Sequence, residues 1–401
     1  MSDESGRSGP ISVGIVGCGP AGLVLAHLLR EAGISFVVIE RHTRADVAGH
    51  PKAGMIEYRT VELLRRVGIA GTLIDFTVEN GRCEFRTPHA SVVLDYGALA
   101  DDRPHYVFPQ HELVAQLCGP LVDSGADVRF ATSVVGLEQD SDGVDLLISD
   151  ATGAGRIRCE VAVGCDGVRS VTSAAIVGAR IREEELPVRW LALIGMAPPI
   201  VGHTIYSAHP RGFAGHMRRG PTHTRYYLEV PVSDTIDDWP EARMREELTV
   251  RLGLTDELTG VALVDPSLVD LRMRMMEPMQ LGRVFVAGDA AHLITPAGGK
   301  GMNLAIQDAV ELAAGLIERF GPSRDGSRLS RYSATRLPQI WRTQAFSAWM
   351  LRLILARFDD GSASGPMAFT GGVRDGWVTA LQDDPLLARW FAHAYAGVDP
   401  A

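Results

Sequence analysis

Three glycines near the start of the sequence have the spacing of a dinucleotide-binding turn. Gly17, Gly19 and Gly22 fit the pattern G-x-G-x-x-G, and Glu40 follows 18 residues after the last of them. In such a turn the first glycine permits a tight bend. The second lets the backbone approach a pyrophosphate, and the third lets helix and strand pack closely. An acid at the position of Glu40 would bind the hydroxyls of an adenosine ribose, so these residues predict a dinucleotide site.

The first turn alone does not distinguish FAD from NAD. Two later segments favour a flavin. Cys165-Asp166-Gly167 and Gly288-Asp289 both follow short apolar runs. The Asp289 carboxylate can accept hydrogen bonds from two hydroxyls of a ribityl chain, although a simple turn residue is the alternative. A glycine-rich loop then leads through Gly299, Met302 and Asn303 into a helix. Such a loop can direct N–H groups and a helix dipole at the flavin pyrimidine ring; a flexible interdomain loop is the alternative.

The elements around these motifs form an interrupted domain. A β-branched run at Ile11–Val16, a helix over Ala21–Glu31 and a second run at Phe36–Ile39 predict a parallel strand–helix–strand unit. Another buried strand, Val284–Ala287, arrives far along the chain. Between them, Pro187–Pro231 reads as a mixed or antiparallel sheet. We therefore predict an α/β fold: a Rossmann-like FAD-binding domain with an inserted mixed β-sheet substrate domain and a helical C-terminal region.

The predicted boundaries divide the sequence into three parts. The FAD-binding domain takes residues 1–79, 104–180 and 275–320, and the substrate domain takes 80–103 and 181–274. Residues 321–401 form the helical region, with one long helix predicted over Leu329–Phe358 and a loop at Gly361–Gly365.

Composition excludes several other classes. The 401 residues carry 39 Lys+Arg against 49 Asp+Glu, a net charge of −10, which argues against a nucleic-acid binder. No apolar run reaches the roughly 18 residues of a membrane span. Five scattered cysteines and twelve histidines without paired spacing favour neither a disulfide framework nor a metal site. The polar N-terminus lacks a signal-peptide core, so we expect a cytoplasmic protein.

The motifs together resemble the class A flavoprotein aromatic hydroxylases, and most closely the 4-hydroxybenzoate 3-monooxygenase family. The resemblance runs from Val13 to about Val398, and the stretches Ile205–Ala214 and Arg225-Tyr226-Tyr227 point to the benzoate hydroxylases. It implies FAD, with NADPH or NADH as reductant. It also implies O2-dependent hydroxylation of a 4-hydroxybenzoate-type aromatic acid through a flavin C4a-hydroperoxide. A homodimer, with the C-terminal region as its interface, is implied as well.

The resemblance also assigns roles to single residues. Tyr206 and Tyr395 would form the chain that takes the phenol proton. Arg219, with Tyr227 beside it, would bind the substrate carboxylate, and the Pro296 backbone would lie over the substrate ring. The residues implied to hold FAD are Gly17, Gly19, Gly22, Glu40, Gln110, Asp166 and Asp289, with Lys52 replacing a pyrophosphate-contacting arginine and Arg225 close to the flavin. Those implied to bind the nicotinamide cofactor are Arg41, Arg169 and Arg272.

The residue types suit these roles without requiring them. A planar guanidinium such as that of Arg219 is a good bidentate partner for a carboxylate, but a solvated surface arginine is the alternative. Tyr206 can accept a phenol proton, yet tyrosines in sheets are often packing residues. Arg41 could meet the 2′-phosphate of NADPH whereas Asp46 would repel it, so either nicotinamide cofactor is open.

Three departures from the family pattern leave the substrate open. Met217 replaces a small hydroxyl residue at the carboxylate, and Thr295 replaces the first of two prolines. Glu79 or Asn80 falls where the family has a histidine that ends the proton chain. One alternative is therefore an amino-substituted hydroxybenzoate, such as 3-amino-4-hydroxybenzoate, in a biosynthetic pathway. More distant ones are a flavin halogenase, whose W-x-W-x-I-P sequence is missing, and a non-catalytic flavin-binding protein.

Overall fold

The computed structural model describes residues 11–49, 54–66, 78–355 and 369–398. Within these ranges the backbone forms two eight-stranded sheets, a three-stranded sheet and helices that cover them. The strands are β1 (Ile11–Val16), β2 (Phe36–Ile39), β3 (Met55–Ile56), β4 (Val78–Asn80), β5 (Arg82–Arg86), β6 (Ser91–Asp95), β7 (His105–Val107), β8 (Asp127–Arg129), β9 (Ser133–Gln139), β10 (Val144–Asp150), β11 (Gly153–Gly164), β12 (Arg180–Gly195), β13 (Thr204–His209), β14 (Gly212–Arg218), β15 (Thr224–Pro231), β16 (Leu263–Glu277), β17 (Gln280–Leu281), β18 (Val284–Val286) and β19 (His292–Leu293). The helices are α1 (Pro20–Glu31), α2 (Arg44–Gly49), α3 (Tyr58–Arg66), α4 (Tyr96–Leu99), α5 (Gln110–Asp123), α6 (Val171–Ala174), α7 (Glu241–Leu252), α8 (Gly301–Phe320), α9 (Ser327–Ser330), α10 (Tyr332–Ile354), α11 (Phe369–Asp383) and α12 (Pro385–Ala396).

The first sheet contains the predicted strand–helix–strand unit. Its strands lie in the order β17-β18-β11-β1-β2-β8, with β10 and β9 continuing from β11. β1 pairs in parallel with β2 and β11, and β11 pairs in parallel with β18. β1 and β2 are rich in β-branched residues and mostly buried, as expected of parallel strands covered on both faces. The predicted α/β fold is therefore confirmed.

The second sheet is mixed, as predicted. Its order is β19-β16-β12-β15-β14-β13-β5-β6, and its pairs are antiparallel except for β13 with β5. One face, which includes Tyr206, Phe213 and Tyr227, packs against α10 and α12. The opposite face packs against α7 through residues such as Leu228 and Leu248. Because successive side chains of a strand point to opposite faces of the sheet, only every second side chain contacts the C-terminal helices.

The three-stranded sheet connects the two larger sheets along the chain. Its order is β3-β7-β4, and both pairs are antiparallel. In the β4–β7 pair, Asn80 lies directly opposite His105. Both of these residues are buried.

The C-terminal region is helical, but the predicted long helix over Leu329–Phe358 is divided. α9 ends at Ser330 and α10 begins at Tyr332, because Arg331 between them leaves the helical conformation with φ −95° and ψ 5°. The predicted loop at Gly361–Gly365 lies outside the described residues. Of the helices that the structure describes, none combines the length and apolarity needed to cross a bilayer.

Candidate active site

The turn between β1 and α1 needs its three glycines for different reasons. Gly17 has φ +104°, and a Cβ there would lie 2.4 Å from the Cys165 carbonyl oxygen. A Cβ on Gly22 would lie 2.1 Å from the Gly17 carbonyl oxygen, so helix and turn could not approach each other. Gly19 has no atom within 4 Å of its Cβ position. Its open side suits the approach of a pyrophosphate to the backbone and to the start of α1.

A cavity of about 430 Å³ opens beside this turn. Glu40 is buried in its lining, where one carboxylate oxygen accepts from the Cys18 N–H at 2.8 Å and the other from the His42 N–H at 2.9 Å. Each carboxylate oxygen has two lone pairs, so Glu40 retains acceptors for ribose hydroxyls. The sequence-predicted residues that meet in this lining are Gly17, Gly19, Glu40, Arg41, Gln110, Asp166 and Arg169.

Asp166 is held in place by the start of α6. One of its oxygens accepts from the Ser170 hydroxyl at 2.6 Å, and the other accepts from the Thr172 N–H at 3.1 Å. These bonds fix the turn after β11 at the edge of the cavity. Asp166 is therefore positioned before any ligand binds.

Asp289 lies in a turn that a buried ionic cluster supports. The N–H of Gly288 donates to Asp308 on α8 at 3.0 Å. Asp308 is fully buried and also contacts His292 at 2.5 Å and Arg336 at 2.7 Å. Burial raises the pKa of Asp308, but the charges of His292 and Arg336 outweigh it and lower the pKa overall. The cluster thus holds the turn of Asp289 at the end of β18.

Asn303 ties the glycine-rich loop to the rest of the protein. Its side-chain oxygen accepts from the Glu57 N–H at 2.9 Å and the Thr60 hydroxyl at 3.1 Å. Its amide nitrogen donates to the carbonyls of Met55 at 2.9 Å and Gly299 at 3.0 Å. These four bonds are all within the protein. The side chain that was predicted to bind flavin thus shapes the loop, of which Met302 is a partly buried member.

Tyr206 on β13 and Tyr395 on α12 form a buried pair. Their hydroxyl oxygens lie 2.8 Å apart, and the two side chains are 1% and 0% exposed. Burial raises the pKa of the Tyr206 hydroxyl above its ordinary value, while the Tyr395 hydroxyl and the Gly298 backbone act in the opposite direction. A Cβ on Gly298 would lie 3.7 Å from the Tyr395 ring. The pair therefore lies directly against the glycine-rich loop.

Arg225 and Tyr227 lie on the same face of the second sheet as Tyr206, and Arg219 follows directly after the end of β14. Gly215 on β14 is opposite both Tyr206 and Tyr227, and alternation along β14 places Met217 on that face, two residues before Arg219. Arg219 and Arg225 line a cavity of about 1010 Å³, and the Arg225 guanidinium lies 5.5 Å from the Tyr227 ring centre. Burial and the Arg225 charge lower the pKa of Arg219. Two cations close together favour an anionic ligand here.

A buried ion pair behind the glycine-rich loop was missed by the sequence reasoning. Lys300 Nζ lies 2.9 Å from Glu57 Oε1, and both side chains are 1% exposed. Arg59 contacts the other oxygen of Glu57 at 2.7 Å. The lysine was visible in the loop sequence, but its partner lies 243 residues earlier. No local spacing could have connected them.

Two sequence-predicted residues that the structure describes, Thr295 and Arg272, line neither of the two cavities. Thr295 is buried and exchanges a hydrogen bond with Ser347 of α10 at 2.7 Å, so its hydroxyl faces that helix. Arg272 on β16 pairs with Glu185 on β12 at 3.3 Å and does not line the cavity of Arg41 and Arg169. Lys52 lies outside the described residues. Pro296, next to Thr295, begins the loop and accepts the Gly299 N–H at 3.0 Å.

Comparisons with known proteins decide the family. A family model described as "FAD binding domain" matches residues 10–347. The chain is also 32% identical over 354 residues to the p-hydroxybenzoate hydroxylase of Acinetobacter baylyi, a match that covers 87% of each protein. The chain belongs to this family of FAD-dependent aromatic monooxygenases.

Other relatives of this aromatic monooxygenase differ in what their names say they oxidise. The chain is 33% identical over 359 residues to a 12-dehydrotetracycline 5-monooxygenase/anhydrotetracycline 6-monooxygenase of Streptomyces rimosus. That match covers 81% of this chain and 66% of the relative. The crystal structure of p-nitrophenol 4-monooxygenase from Pseudomonas putida DLL-E4 matches with a TM-score of 0.81 and 20% identity. That match covers 98% of this chain and 99% of the other, and shows the shared fold.

The residues of the monooxygenase fit FAD. The open side of Gly19 admits a pyrophosphate, and Glu40 has acceptors left for a ribose. The prearranged turns of Asp166 and Asp289 end neighbouring parallel strands, β11 and β18. Ligands of such sheets bind outside the carboxyl ends of the strands, which is where these groups converge.

Proposed function

We propose that this monooxygenase hydroxylates the ring of a small aromatic acid that carries a phenol, of the 4-hydroxybenzoate type. The observation that carries the proposal is the buried Tyr206–Tyr395 pair, with hydroxyl oxygens 2.8 Å apart beside the glycine-rich loop. Arg219 follows directly after the end of β14 and lines a cavity together with Arg225. A phenol bonded to Tyr206 and a carboxylate bonded to Arg219 would fix both ends of the ring.

FAD, when bound, supplies the activation of O2 for transfer to the ring. Gly19 and Glu40 would hold its nucleotide part, and Asn303 fixes the glycine-rich loop. Tyr206 accepts the substrate phenol proton and passes its own to Tyr395. Loss of that proton makes the ring electron-rich and ready to take up oxygen. The full burial of the tyrosine pair keeps water away from the reacting groups.

The reductant in this proposal is NADPH or NADH. Arg41 and Arg169 are exposed in the lining of the nucleotide cavity, where they can meet phosphates. Asp46 lies in the same lining and disfavours a 2′-phosphate, so we expect both cofactors to be accepted. Arg272 contributes less, because Glu185 already pairs with it. The ratio of kcat/KM for NADH and NADPH tests this directly, and Arg41→Gln should lower the value for NADPH more than that for NADH.

An amino-substituted hydroxybenzoate is the second candidate substrate. Met217 keeps this candidate open, because it lies two residues after Gly215 on the face of β14 that carries Tyr206, where the family has a hydroxyl residue. A thioether there cannot help to bind a carboxylate as a hydroxyl would. Thr295 gives the alternative no support, since its hydroxyl bonds Ser347 instead.

Product analysis distinguishes these functions. The purified FAD-loaded enzyme is given NADH or NADPH, O2 and either 4-hydroxybenzoate or 3-amino-4-hydroxybenzoate, and products are measured by liquid chromatography and mass spectrometry. Stoichiometric 3,4-dihydroxybenzoate supports the first proposal. Nicotinamide oxidation that yields only peroxide from 4-hydroxybenzoate, with hydroxylated product from the amino compound, supports the second. If neither acid stimulates nicotinamide oxidation, the benzoate assignment is wrong, and another aromatic compound becomes the better candidate substrate.

The proposed homodimer is supported by an exposed apolar face in the C-terminal region. Phe369, Val373 and Trp377 are spaced four residues apart on α11, and Leu386 and Trp390 are spaced likewise on α12. Their exposed fractions lie between 40% and 89%. An apolar stripe of this kind is typical of a protein interface. Light scattering of wild type and Trp377→Glu tests it: a monomeric wild type would contradict the proposal.

A further inference from the structure

A third cavity, of about 750 Å³, opens in the C-terminal region between α10 and α12. Arg59 of α3 and Leu304 of α8 also contribute to its lining. None of the described residues that line it belongs to the nucleotide cavity or to the cavity of Arg219. It is therefore a separate space, which the proposed hydroxylation does not use.

Helix geometry brings arginines and aromatic rings to the walls of this third cavity. On α10 the lining side chains include Arg342, Phe346 and Trp349, and on α12 they include Arg389 and Trp390. The three residues of α10 are spaced by four and three positions, which places them on one side of the helix. One wall of the cavity thus carries both a guanidinium group and two aromatic rings.

The aromatic side chains form a cluster that can accept a further planar ring. The Trp349 ring centre lies 5.3 Å from that of Trp390, with an angle of 86° between the rings. The Phe346 ring centre lies 5.9 Å from that of Trp390, again edge to face. Trp390 is 47% exposed, so part of its ring surface is open to a ligand. Because aromatic rings associate favourably edge to face or offset-stacked, this wall favours an aromatic ligand.

Four arginines line the same cavity, and the described part of its lining contains no Asp or Glu. Two of the four are held by buried carboxylates outside the lining. Arg59 pairs with Glu57 at 2.7 Å, and Arg336 pairs with Asp308 at 2.7 Å. In a chain whose net charge is −10, this local excess of cations favours an anionic ligand.

Arg342 and Arg389 are the arginines of the cavity that can turn to a ligand. Both are exposed. Arg389 lies 3.8 Å from Asp101, in a pair whose side chains are 63% and 49% exposed, and such surface pairs contribute little. A planar guanidinium binds a carboxylate through two parallel hydrogen bonds, which makes a carboxylate the best-matched anion.

We propose that this cavity is a second ligand site, which binds a small aromatic carboxylate with its ring against Trp349 and Trp390 and its carboxylate on Arg342 and Arg389. The inference does not rest on the proposed substrate. A second copy of the chain is the less suitable occupant, because a two-fold contact centred on this cavity would bring arginines to face arginines. The test must still separate the two, since Trp390 also belongs to the apolar face proposed for the homodimer.

Calorimetric titration of the FAD-loaded enzyme with 2-naphthoate tests the inference. This probe carries a carboxylate on a planar ring system without a phenol, and 2-naphthamide is its neutral counterpart. The variants are Trp390→Ala and the double variant Arg342→Gln with Arg389→Gln. Arg352→Gln is the matched control, because Arg352 is an exposed arginine of α10 that does not line the cavity. Arg219→Gln identifies any binding at the second sheet, and circular dichroism shows whether each variant is folded.

We expect a binding event that Arg219→Gln and Arg352→Gln leave unchanged. The double arginine variant should weaken it at least about tenfold, because charge-assisted hydrogen bonds to the carboxylate are lost, and 2-naphthamide should bind wild type weaker by a similar factor. Trp390→Ala should also weaken it. A crystal structure with 2-naphthoate should show the ring system between α10 and α12.

Three results would overturn the inference. The first is affinity for 2-naphthoate that the double arginine variant leaves unchanged, and the second is equal affinity for the amide. The third is absence of binding to wild type. If the probe then binds only to a monomer produced by Trp377→Glu, a second copy covers the cavity in wild type. None of these results bears on the proposed hydroxylation, which product analysis tests separately.

Discussion

Replacing Glu57 with glutamine removes the carboxylate that neutralises Lys300, in a place where both side chains are 1% exposed. Breaking a buried pair in this way leaves one charge uncompensated and costs about 3–5 kcal/mol of unfolding free energy. The pKa of Glu57 gives a second measure of this free-energy cost. Burial raises it, but the charges of Lys300 and Arg59 outweigh burial and lower it from 4.5 to about 2. A difference of that size corresponds to about 3 kcal/mol, in agreement with the first figure.

The same pKa sets the pH range of the effect. Because the folded state lowers the pKa of Glu57, the stabilisation is fully present above about pH 4.5 and is lost as the pH falls towards 2. The difference between wild type and Glu57→Gln should therefore be largest near neutral pH and smaller near pH 3. Urea unfolding at both pH values, followed by circular dichroism, measures it.

Two controls make this prediction specific. Glu62→Gln, in the helix α3 that follows Glu57, removes the partner of Arg65 from a pair that is 41% and 46% exposed, so it should cost less than about 1 kcal/mol. The double variant Glu57→Gln with Lys300→Met should be more stable than Glu57→Gln alone, because it removes the stranded charge. If Glu57→Gln destabilises no more than Glu62→Gln at neutral pH, the reasoning about the buried pair is wrong.

Three further predictions concern the nucleotide turn, the loop and acid stability. Gly22→Ala should abolish retention of flavin absorbance through gel filtration, because its Cβ would lie 2.1 Å from the Gly17 carbonyl; normal retention would contradict this. Asn303→Ala should lower the unfolding free energy by roughly 2–3 kcal/mol and weaken FAD binding measured by fluorescence titration, since four hydrogen bonds are lost. Burial lowers the pKa of His105 to about 3 and that of His216 to about 4. Below pH 6.5 these histidines therefore bind protons in the unfolded chain but not in the folded chain. The free energy of unfolding should consequently fall as the pH drops below 6.5. A flatter pH dependence in His216→Gln checks this last prediction, and an unchanged slope would contradict it.

Local sequence patterns predicted those parts of the site that depend on the geometry of a single turn or strand. Gly17, Gly19 and Gly22 are informative because each glycine answers a steric requirement within one turn. The buried strands on either side have the β-branched runs that parallel strands require. Strand alternation also places Tyr206, Met217 and Tyr227 on one face of the second sheet.

Contacts between residues that are far apart along the chain could not be predicted from the sequence. Lys300 looked like a member of a loop, but Glu57, 243 residues away, makes it half of a buried pair. The Asn303 side-chain amide could hydrogen-bond a flavin, yet its partners are backbone groups and a threonine on other elements. The sequence gave no indication that His105 is buried opposite Asn80 and packs edge-on against Tyr395 of the last helix, because these partners lie on other elements.

The order of strands in the first sheet has a consequence for synthesis of the protein on the ribosome. Val13 of β1 pairs with Val161 of β11, and Ala162 pairs with Val284 of β18. The glycine turn and β2 are therefore translated early, but β11 and β18 join the sheet only after two later portions of the chain have left the exit tunnel. Nascent chains that end before β18 should fail to capture FAD even though they contain the whole G-x-G-x-x-G motif. Cofactor loading should consequently be a late event, and a stalled or truncated chain would expose the apolar edge of β11 to chaperones and proteases.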